Sequence, residues 1–289
     1  QGREQILGPE HPDTLTSVSQ LGWVLARQGK YEEAEAMHRQ ALQIYEQVLG
    51  PEHPDTLASV SNLGSVLARQ GKYEEAEAMH RRDLAGSEKI LGPEHPDTLA
   101  SVSNLGSVLD DQGKYGEAEA MHRQALQGYE QVLGPKHPDT LTSVSNLGSV
   151  LDDQGKYEEA EAMHRQALQG YEQVLGPEHP DTLTSMQNLA FTLKQLGKVS
   201  DALNFLRKCA GLRHNILGSH HPHVIFSFNA LRDWETAANQ PSESQQLRAL
   251  LYSPPNLTSV QTIAKDHIAS ASKPVGRKRR VFMNFFQRR

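Results

Sequence analysis

The stretch LGPEHPDTL, residues 49–57, decides the fold because it returns at a fixed interval along the chain. Nearly the same nine letters recur every 42 residues, and a sixth, degenerate copy reads LGSHHPHVI. Two whole units, 92–133 and 134–175, differ at only three positions. Such a period indicates supersecondary units that stack on their neighbours. The copies begin at Leu7, Leu49, Leu91, Leu133, Leu175 and Leu217.

Each unit predicts two helices. Gly50-Pro51 suits the end of one helix, since glycine favours a left-handed C-terminal cap and proline commonly follows it. Pro54 suits the first turn of the next helix, where its missing N–H costs nothing, so a helix A should begin at about Pro54. Gln70-Gly71-Lys72 predicts a turn, and a helix B should begin at about Tyr73. The sequence therefore predicts one antiparallel helix pair per repeat.

Apolar residues recur at helical spacing in both predicted helices. They form a stripe on helix A, where a glycine would allow close approach of a partner helix: Leu57, Val60, Leu63, Gly64 and Leu67. The stripe on helix B is read from the next copy: Ala118, Met121, Ala125, Leu126, Tyr129, Val132 and Leu133. The fold class predicted from these patterns is all-α, a solenoid of stacked helix pairs with a core spread along its length.

The run Leu63-Gly64, Leu67, Gly71, Tyr73 and Ala76 resembles the tetratricopeptide consensus. The longer, 42-residue form is similar to the repeats of kinesin light chains and to the arrays that end many fungal NOD-like (NB-ARC or NACHT) receptors. The resemblance implies a right-handed superhelical solenoid whose concave groove binds a partner protein.

Composition divides the chain into three predicted parts. Residues 1–217 should form the tandem repeats, 218–252 a degenerate capping repeat with a short helix from Pro241, and 253–289 a disordered basic tail. The opening GREQILG matches the end of a helix B, so we expect the array to be cut from a longer one. One cysteine, Cys209, excludes an internal disulfide framework and favours a reducing, cytoplasmic location.

Charge separates the tail from the array. Residues 265–289 hold eight Lys/Arg and one Asp, giving the tail +7, whereas the rest of the chain carries −13. The tail residues Arg277, Lys278, Arg279 and Arg280 resemble a nuclear-import motif, and the phenylalanines that follow could contact an anionic membrane surface. A solvated tail without function is the plain alternative.

No residues in the sequence support catalysis, a cofactor or a metal. Gly64 to Lys72 resembles a phosphate-binding loop only faintly, since six residues separate its glycines and Tyr73 stands where Ser or Thr would hold magnesium. Most of the 14 histidines simply repeat with the array, and the one dense cluster, His220-His221-His223, fits a loop and helix cap better than a metal site. We therefore expect no small-molecule substrate, and nucleic-acid binding by the array is disfavoured.

The candidate binding residues lie on helix A, opposite its apolar stripe. The resemblance places this side in the concave groove, where an asparagine ladder could bond an extended peptide backbone, because an amide both donates and accepts. A merely solvated, duplicated face is the alternative. The ladder comprises Asn62, Asn104, Asn146 and Asn188.

The ends of helix A differ among copies. Arg27 and Arg69 in the first two become paired aspartates in the next two, although acids in a last helical turn oppose the helix dipole. Trp23 and Phe191 replace serine and are candidate apolar anchors at the groove ends. We expect a partner segment that is basic near its middle, steered by Asp110, Asp111, Asp152 and Asp153.

Three functions remain open on the sequence alone. The first is the partner-sensing end of a larger signalling protein, the second a kinesin light chain-like cargo adaptor, and the third a purely structural or oligomerising array. Residues upstream of Gln1 would discriminate best, because a nucleotide-binding domain supports the first and heptad repeats the second.

Overall fold

The computed structural model describes residues 6–8 and 10–239, and within 12–239 it contains eleven α-helices and no strand. Helices A and B alternate, so α1–α2 is repeat 1, α9–α10 is repeat 5, and α11 is the helix A of the sixth copy. The bounds are α1 Pro12–Arg27, α2 Tyr31–Val48, α3 Pro54–Arg69, α4 Tyr73–Leu91, α5 Pro96–Asp111, α6 Tyr115–Val132, α7 Pro138–Asp153, α8 Tyr157–Val174, α9 Pro180–Gln195, α10 Val199–Leu217 and α11 Pro222–Asn239.

The recurrent loop fixes where each helix A begins. His53 accepts a hydrogen bond at Nδ1 from the backbone N–H of Asp55 (3.2 Å), and Pro54 occupies the first helical turn. The hydroxyl of Thr56 donates to the carbonyl of Gly50 at 2.8 Å, and Gly50 has a positive φ of 91°. Later copies of the loop use the same imidazole cap: His95, His137, His179 and His221.

Within a repeat, the two helices meet at a glycine and a buried histidine. A methyl group added at Gly64 would lie 2.9 Å from Nε2 of His80, so the imidazole fills the space that glycine leaves. Burial lowers the pKa of His80 to about 4, which keeps the ring neutral near neutral pH. Repeat 5 replaces the pair with Ala190 and Leu206. The other glycine–histidine pairs are Gly22 with His38, Gly106 with His122, and Gly148 with His164.

The core is divided among the contacts between neighbouring helices. Each helix packs against the next one along the chain, as the predicted solenoid requires. Val150 of α7, for example, packs with Leu105 and Leu109 of α5 and with Ala118 of α6, so one cluster joins two repeats. The predicted all-α array with a core spread along its length is confirmed.

An ionic cluster links each repeat to the next on the outer edge. Glu77 of α4 lies 2.9 Å from Nζ of Lys114 and accepts a 2.7 Å hydrogen bond from Gln112, both in the turn after α5. Arg81, one turn further along α4, also contacts it. The hydrogen bond from Lys114 is the main reason that the pKa of Glu77 falls to about 2. Glu35 and Glu119 repeat this arrangement.

The structure corrects one expectation about packing and shows the surroundings of one unusual residue. Val132 belongs to the apolar stripe predicted on helix B, but the residue is 44% exposed, because it lies in the last turn of α6. Asp83, which replaces the alanine of other copies, is buried, and its carboxylate accepts a 3.3 Å hydrogen bond from Ser87. Burial raises the pKa of Asp83, while hydrogen bonds from Ser101, Ser61 and Ser87 act in the opposite direction.

Candidate interaction face

One side of the helices A forms a surface that continues from repeat to repeat. We call it the A face and define it by the positions of Ala58, Ser61, Asn62, Ser65 and Arg69 in α3 together with their counterparts in the other helices A. Helix α3 contacts α5, α5 contacts α7, and α7 contacts α9. The A face therefore runs along successive helices without an intervening helix B.

The asparagine ladder links neighbouring repeats. Nδ2 of Asn104 donates to Oγ of Ser61 at 3.3 Å, and Nδ2 of Asn146 donates to Oγ of Ser103 at the same distance. Asn104 and Asn146 are only 9% and 8% exposed, so much of each side chain is covered by the protein. Their amide nitrogens thus connect helices A, and a role in holding a partner backbone stays a prediction.

The two outer members of the ladder are more accessible. Asn62 of α3 and Asn188 of α9 are both half-buried. Nearby hydroxyls are bonded within their own helices: Ser65 donates to the carbonyl of Ser61, and Ser107 to that of Ser103, each at 3.1 Å. A hydroxyl bonded in this way keeps its lone pairs for an incoming donor. The A face is consequently polar and rich in small side chains.

Asp152, predicted to supply surface charge, is instead part of the interior. Its side chain is 2% exposed, and Oδ2 accepts a 2.7 Å hydrogen bond from the hydroxyl of Thr192 in α9. Nε2 of His164 lies 3.4 Å from the same oxygen. Asp152 therefore does not supply the surface charge that the sequence predicted for steering a partner. The sequence could not reveal it, because the covering residue belongs to the following repeat.

Asp110 occupies the equivalent position of α5 but has different surroundings. Its Oδ1 is buried without a hydrogen-bond partner. The position of Thr192 is taken in α7 by Val150, which offers no donor. Burial, together with the charges of Asp153 and Asp111, raises the pKa of Asp110 to about 8. Asp110 is therefore mostly protonated at neutral pH.

The exposed ends of the helices A still carry an ordered set of charges. Arg27 and Arg69 are exposed at the ends of α1 and α3, Asp111 is exposed at the end of α5, and Asp153 is half-buried at the end of α7. Lys194 is half-buried near the end of α9. Along the A face the charge thus changes from positive at Arg27 and Arg69 to negative at Asp111 and Asp153. At the C-terminal end, Lys194 is followed by Asp233, which is exposed on α11 at the position of Ser65.

The two aromatic candidates differ in their surroundings. Trp23 in α1 is half-buried. Phe191 in α9 stacks on Phe226 of α11 with ring centroids 6.0 Å apart, and it meets the ring of Trp234 edge-on at 4.8 Å. Nζ of Lys194 lies 4.3 Å from the centre of the Trp234 ring. The sequence analysis missed Phe226 on this face, although aligning the degenerate sixth copy puts it at the position of Ala58.

Other sequence expectations concern regions away from the A face. The basic tail residues Arg277, Lys278, Arg279 and Arg280 lie outside the described residues, as does the short helix expected from Pro241. In the part of the chain that is described, no group of three or more His, Cys, Asp or Glu side chains could hold a metal ion. The same part contains no helix long and apolar enough to cross a membrane.

Comparison with known proteins supports the repeat assignment. The family model described as Tetratricopeptide repeat matches successive overlapping segments, residues 1–47, 24–89, 55–131, 102–173 and 139–213. No curated protein matches the chain.

Two solved structures are similar. One is described as Podosopora anserina kinesin light chain nearly identical TPR-like repeats; it is 27% identical, with a TM-score of 0.58, and the match covers 72% of this chain and 98% of that one. BtubC (BKLC) from P. vanneervenii is 21% identical, with a TM-score of 0.60, covering 76% and 89%, and it shows the fold alone. The family model, which covers residues 1–213 in its overlapping matches, shows that the chain belongs to the tetratricopeptide repeat family.

Proposed function

We propose that the A face binds an extended segment of a partner protein, and that the chain acts as an interaction scaffold without catalytic activity. Tetratricopeptide repeats generally mediate protein interactions. The observation that carries the proposal for this chain is the change of charge along the A face, from Arg27 and Arg69 at its N-terminal end to Asp111 and Asp153 in its middle. A segment with basic residues near its middle would complement that order.

The acidic positions are difficult to explain by stability. Asp110-Asp111 and Asp152-Asp153 end their helices, where a negative charge opposes the helix dipole by about 0.3–1 kcal/mol. Asp110 adds a carboxyl with an unpaired buried oxygen, which costs free energy rather than contributing it. Selection for binding offers a reason for carboxylates at these helix ends, with Asp111 and Asp153 the accessible ones.

Two settings fit such a scaffold. We favour the sensor or interaction end of a larger signalling protein of the fungal receptor kind, because the near-identical repeats resemble the arrays of those receptors. The similarity to repeats described as kinesin light chain supports the alternative of a cargo adaptor. A purely structural or oligomerising array is the third possibility, and it predicts no binding on the A face. We place the scaffold in the cytoplasm, with nuclear import through the basic tail as a further possibility to test.

Selection from a random peptide library tests the proposal. The full chain is immobilised, and 16-residue peptides displayed on phage are selected against it. We expect enrichment of peptides with Lys or Arg near their middle. The double variant Asp111→Asn/Asp153→Asn should lose that preference, because it removes the carboxylates in the middle of the A face and leaves Asp233 at its C-terminal end.

A matched control separates local from overall charge. Glu117→Gln/Glu130→Gln removes the same two charges from exposed positions of the helix B α6 and should keep the preference. With one enriched peptide synthesised, the A-face variant should associate more slowly and show a weaker salt dependence than the control. Failure to enrich any peptide, or equal behaviour of the two double variants, would show that the A face is not the binding surface.

A further inference from the structure

The A face changes character between α9 and α11. From α3 to α7 it presents small side chains at two positions of each helix, for example Ala58 and Ser65 in α3. At the C-terminal end the same two positions are Phe226 of α11 and Phe191 of α9. The chain therefore replaces a small, polar surface with two neighbouring aromatic rings.

These rings form an ordered but incompletely covered pair. Phe191 and Phe226 stack nearly parallel, with 15° between the ring planes. The buried ring of Trp234 packs edge-on against Phe191. Phe226 nevertheless remains 45% exposed. The Phe226 ring is thus held by Phe191, which itself packs on buried Trp234, and almost half of Phe226 stays in contact with water. Aromatic anchors of protein interfaces are arranged in the same way.

Charge on the rest of the face indicates what kind of segment would reach this pair. Asp153 on α7 and Asp111 on α5 favour basic residues in the partner. Adjacent packed helices lie about 8–10 Å apart, so α11 is two helix steps, roughly 16–20 Å, from α7. Asp153 ends α7, whereas Phe226 lies near the start of α11, and this offset adds about 16 Å along the helix axes. Since an extended chain advances about 3.3 Å per residue, a segment with a basic residue at Asp153 would place a residue roughly three or four positions away at Phe191 and one roughly seven or eight positions away at Phe226.

We propose that Phe191 and Phe226 form an apolar subsite at the C-terminal end of the A face, which receives a large apolar side chain of the same extended segment that presents basic residues to Asp111 and Asp153. This inference rests on the proposed function. It specifies the partner as a segment in which the basic residue at Asp153 and an apolar residue are separated by about three to eight positions. A serine at either ring position, as elsewhere on the face, would remove most of the apolar contact.

The helix α11 supplies a matched control. Phe228 is 44% exposed, almost the same as Phe226, but it lies two residues further on and therefore on another side of the helix, where its ring meets His214 edge-on. Phe226→Ser and Phe228→Ser remove equal side chains with equal exposure. Only the first variant alters the A face.

The peptide selection described above tests the subsite with the full chain. We expect peptides enriched by the unaltered chain to carry an apolar residue about three to eight positions from a basic residue. One such peptide, made synthetically with a fluorescent label, should bind Phe226→Ser at least about tenfold more weakly, and Phe228→Ser within about twofold of the unaltered chain. Phe226→Leu should bind within about threefold, which shows that apolar contact rather than folding is responsible.

A second comparison identifies the contact directly. Replacing the apolar residue of the peptide by serine should weaken binding to the unaltered chain about tenfold but should cause little further loss with Phe226→Ser, because the two changes remove one shared interaction. Enrichment of basic peptides without an apolar preference, or equal losses for Phe226→Ser and Phe228→Ser, overturns the subsite and leaves the proposed function standing. Failure to enrich any peptide overturns both.

Discussion

The junction between repeats 3 and 4 and the junction between repeats 4 and 5 begin from nearly identical helices but are held by different contacts. Asp110 and Asp152 occupy the same position in α5 and α7. Asp152 accepts a hydrogen bond from Thr192, whereas Asp110 has Val150 at that position and the charge of Asp153 nearby. The surroundings of a side chain in this array are thus determined by the repeat that follows it.

The ionic contacts at the outer edges of the same two junctions also differ, but here the junction between repeats 3 and 4 has the additional hydrogen bond. Glu119 of α6 accepts hydrogen bonds from Gln154 and Lys156 at 2.8 and 3.0 Å. Glu161 of α8 accepts a hydrogen bond from Lys198 at 2.6 Å and others from Arg165 of its own helix, but it has no glutamine bond because Leu196 replaces the glutamine. The junction between repeats 3 and 4 therefore has the additional glutamine bond at its outer edge but an aspartate without a threonine donor. The junction between repeats 4 and 5 has the threonine donor but lacks the glutamine bond.

The largest expected difference comes from removing the two aspartates. Asp152→Ala should lower the free energy of unfolding by roughly 2–4 kcal/mol, because it removes the buried acceptor of Thr192 and the carboxylate beside His164. Asp110→Ala should leave stability unchanged or raise it by about 1 kcal/mol, since it removes a carboxyl with an unpaired oxygen. Urea unfolding at pH 8, followed by circular dichroism, compares them. Equal losses would contradict the contrast.

Asp110 should also make stability depend on pH. Its pKa is about 8 in the folded chain and near 3.9 when unfolded, so between these values the folded state holds more protons and stability falls as pH rises. The free energy of unfolding, relative to that of Asp110→Asn, should decrease by roughly 4 kcal/mol between pH 5 and pH 8.5. Using the difference cancels the contributions of the ionisable groups that the two proteins share. A constant difference across this range would show that Asp110 is not protonated when folded.

Exchanging Val150 and Thr192, the residues that face the two aspartates, should exchange the properties of Asp110 and Asp152. We expect each exchange to change the free energy of unfolding by about 1 kcal/mol. Val150→Thr supplies a hydroxyl donor and should lower the pKa of Asp110, whereas Thr192→Val should destabilise the junction around Asp152. The pKa of Asp110 can be followed through its carboxyl carbon by NMR. An unchanged pKa in Val150→Thr would mean that Asp153 and burial, and not the missing donor, determine its value.

Local signals in the sequence were sufficient to predict the helix pairs. The helices expected to begin at about Pro54 and Tyr73 do begin there, because proline, the capping histidine and the glycine turn all act within a few residues. The tetratricopeptide assignment is confirmed for the same reason, since the consensus positions are those that pack the two helices of one repeat.

Burial on the A face could not be predicted in the same way. A period shows which side of a helix a residue occupies but not how deeply the next repeat covers it. Asp111 and Asp153 occupy the same position of the duplicated motif, yet Asp111 is exposed and Asp153 is half-buried. Phe226 was missed because its repeat is degenerate. Partner binding by the residues of the A face stays a prediction.

The smallest expected difference is at the outer edge, where the contacts are partly exposed. Glu119→Ala should lower the free energy of unfolding by about 1 kcal/mol and Glu161→Ala by about 0.5 kcal/mol, because partly solvated ion pairs contribute little and Glu119 has the additional bond from Gln154. Leu196→Gln should reduce the difference between the two losses of stability by supplying the missing donor to Glu161.

The contribution of Glu119 should also depend on pH. Burial opposes the hydrogen bonds to Glu119, but the hydrogen bonds outweigh it and the pKa of Glu119 is about 2. Its contribution to stability should therefore be present above pH 4.5 and be lost as pH falls towards 2. Urea unfolding at pH 7 and at pH 3 measures both effects. A Glu119→Ala cost that is as large at pH 3 as at pH 7 would show that packing, rather than charge, holds this edge.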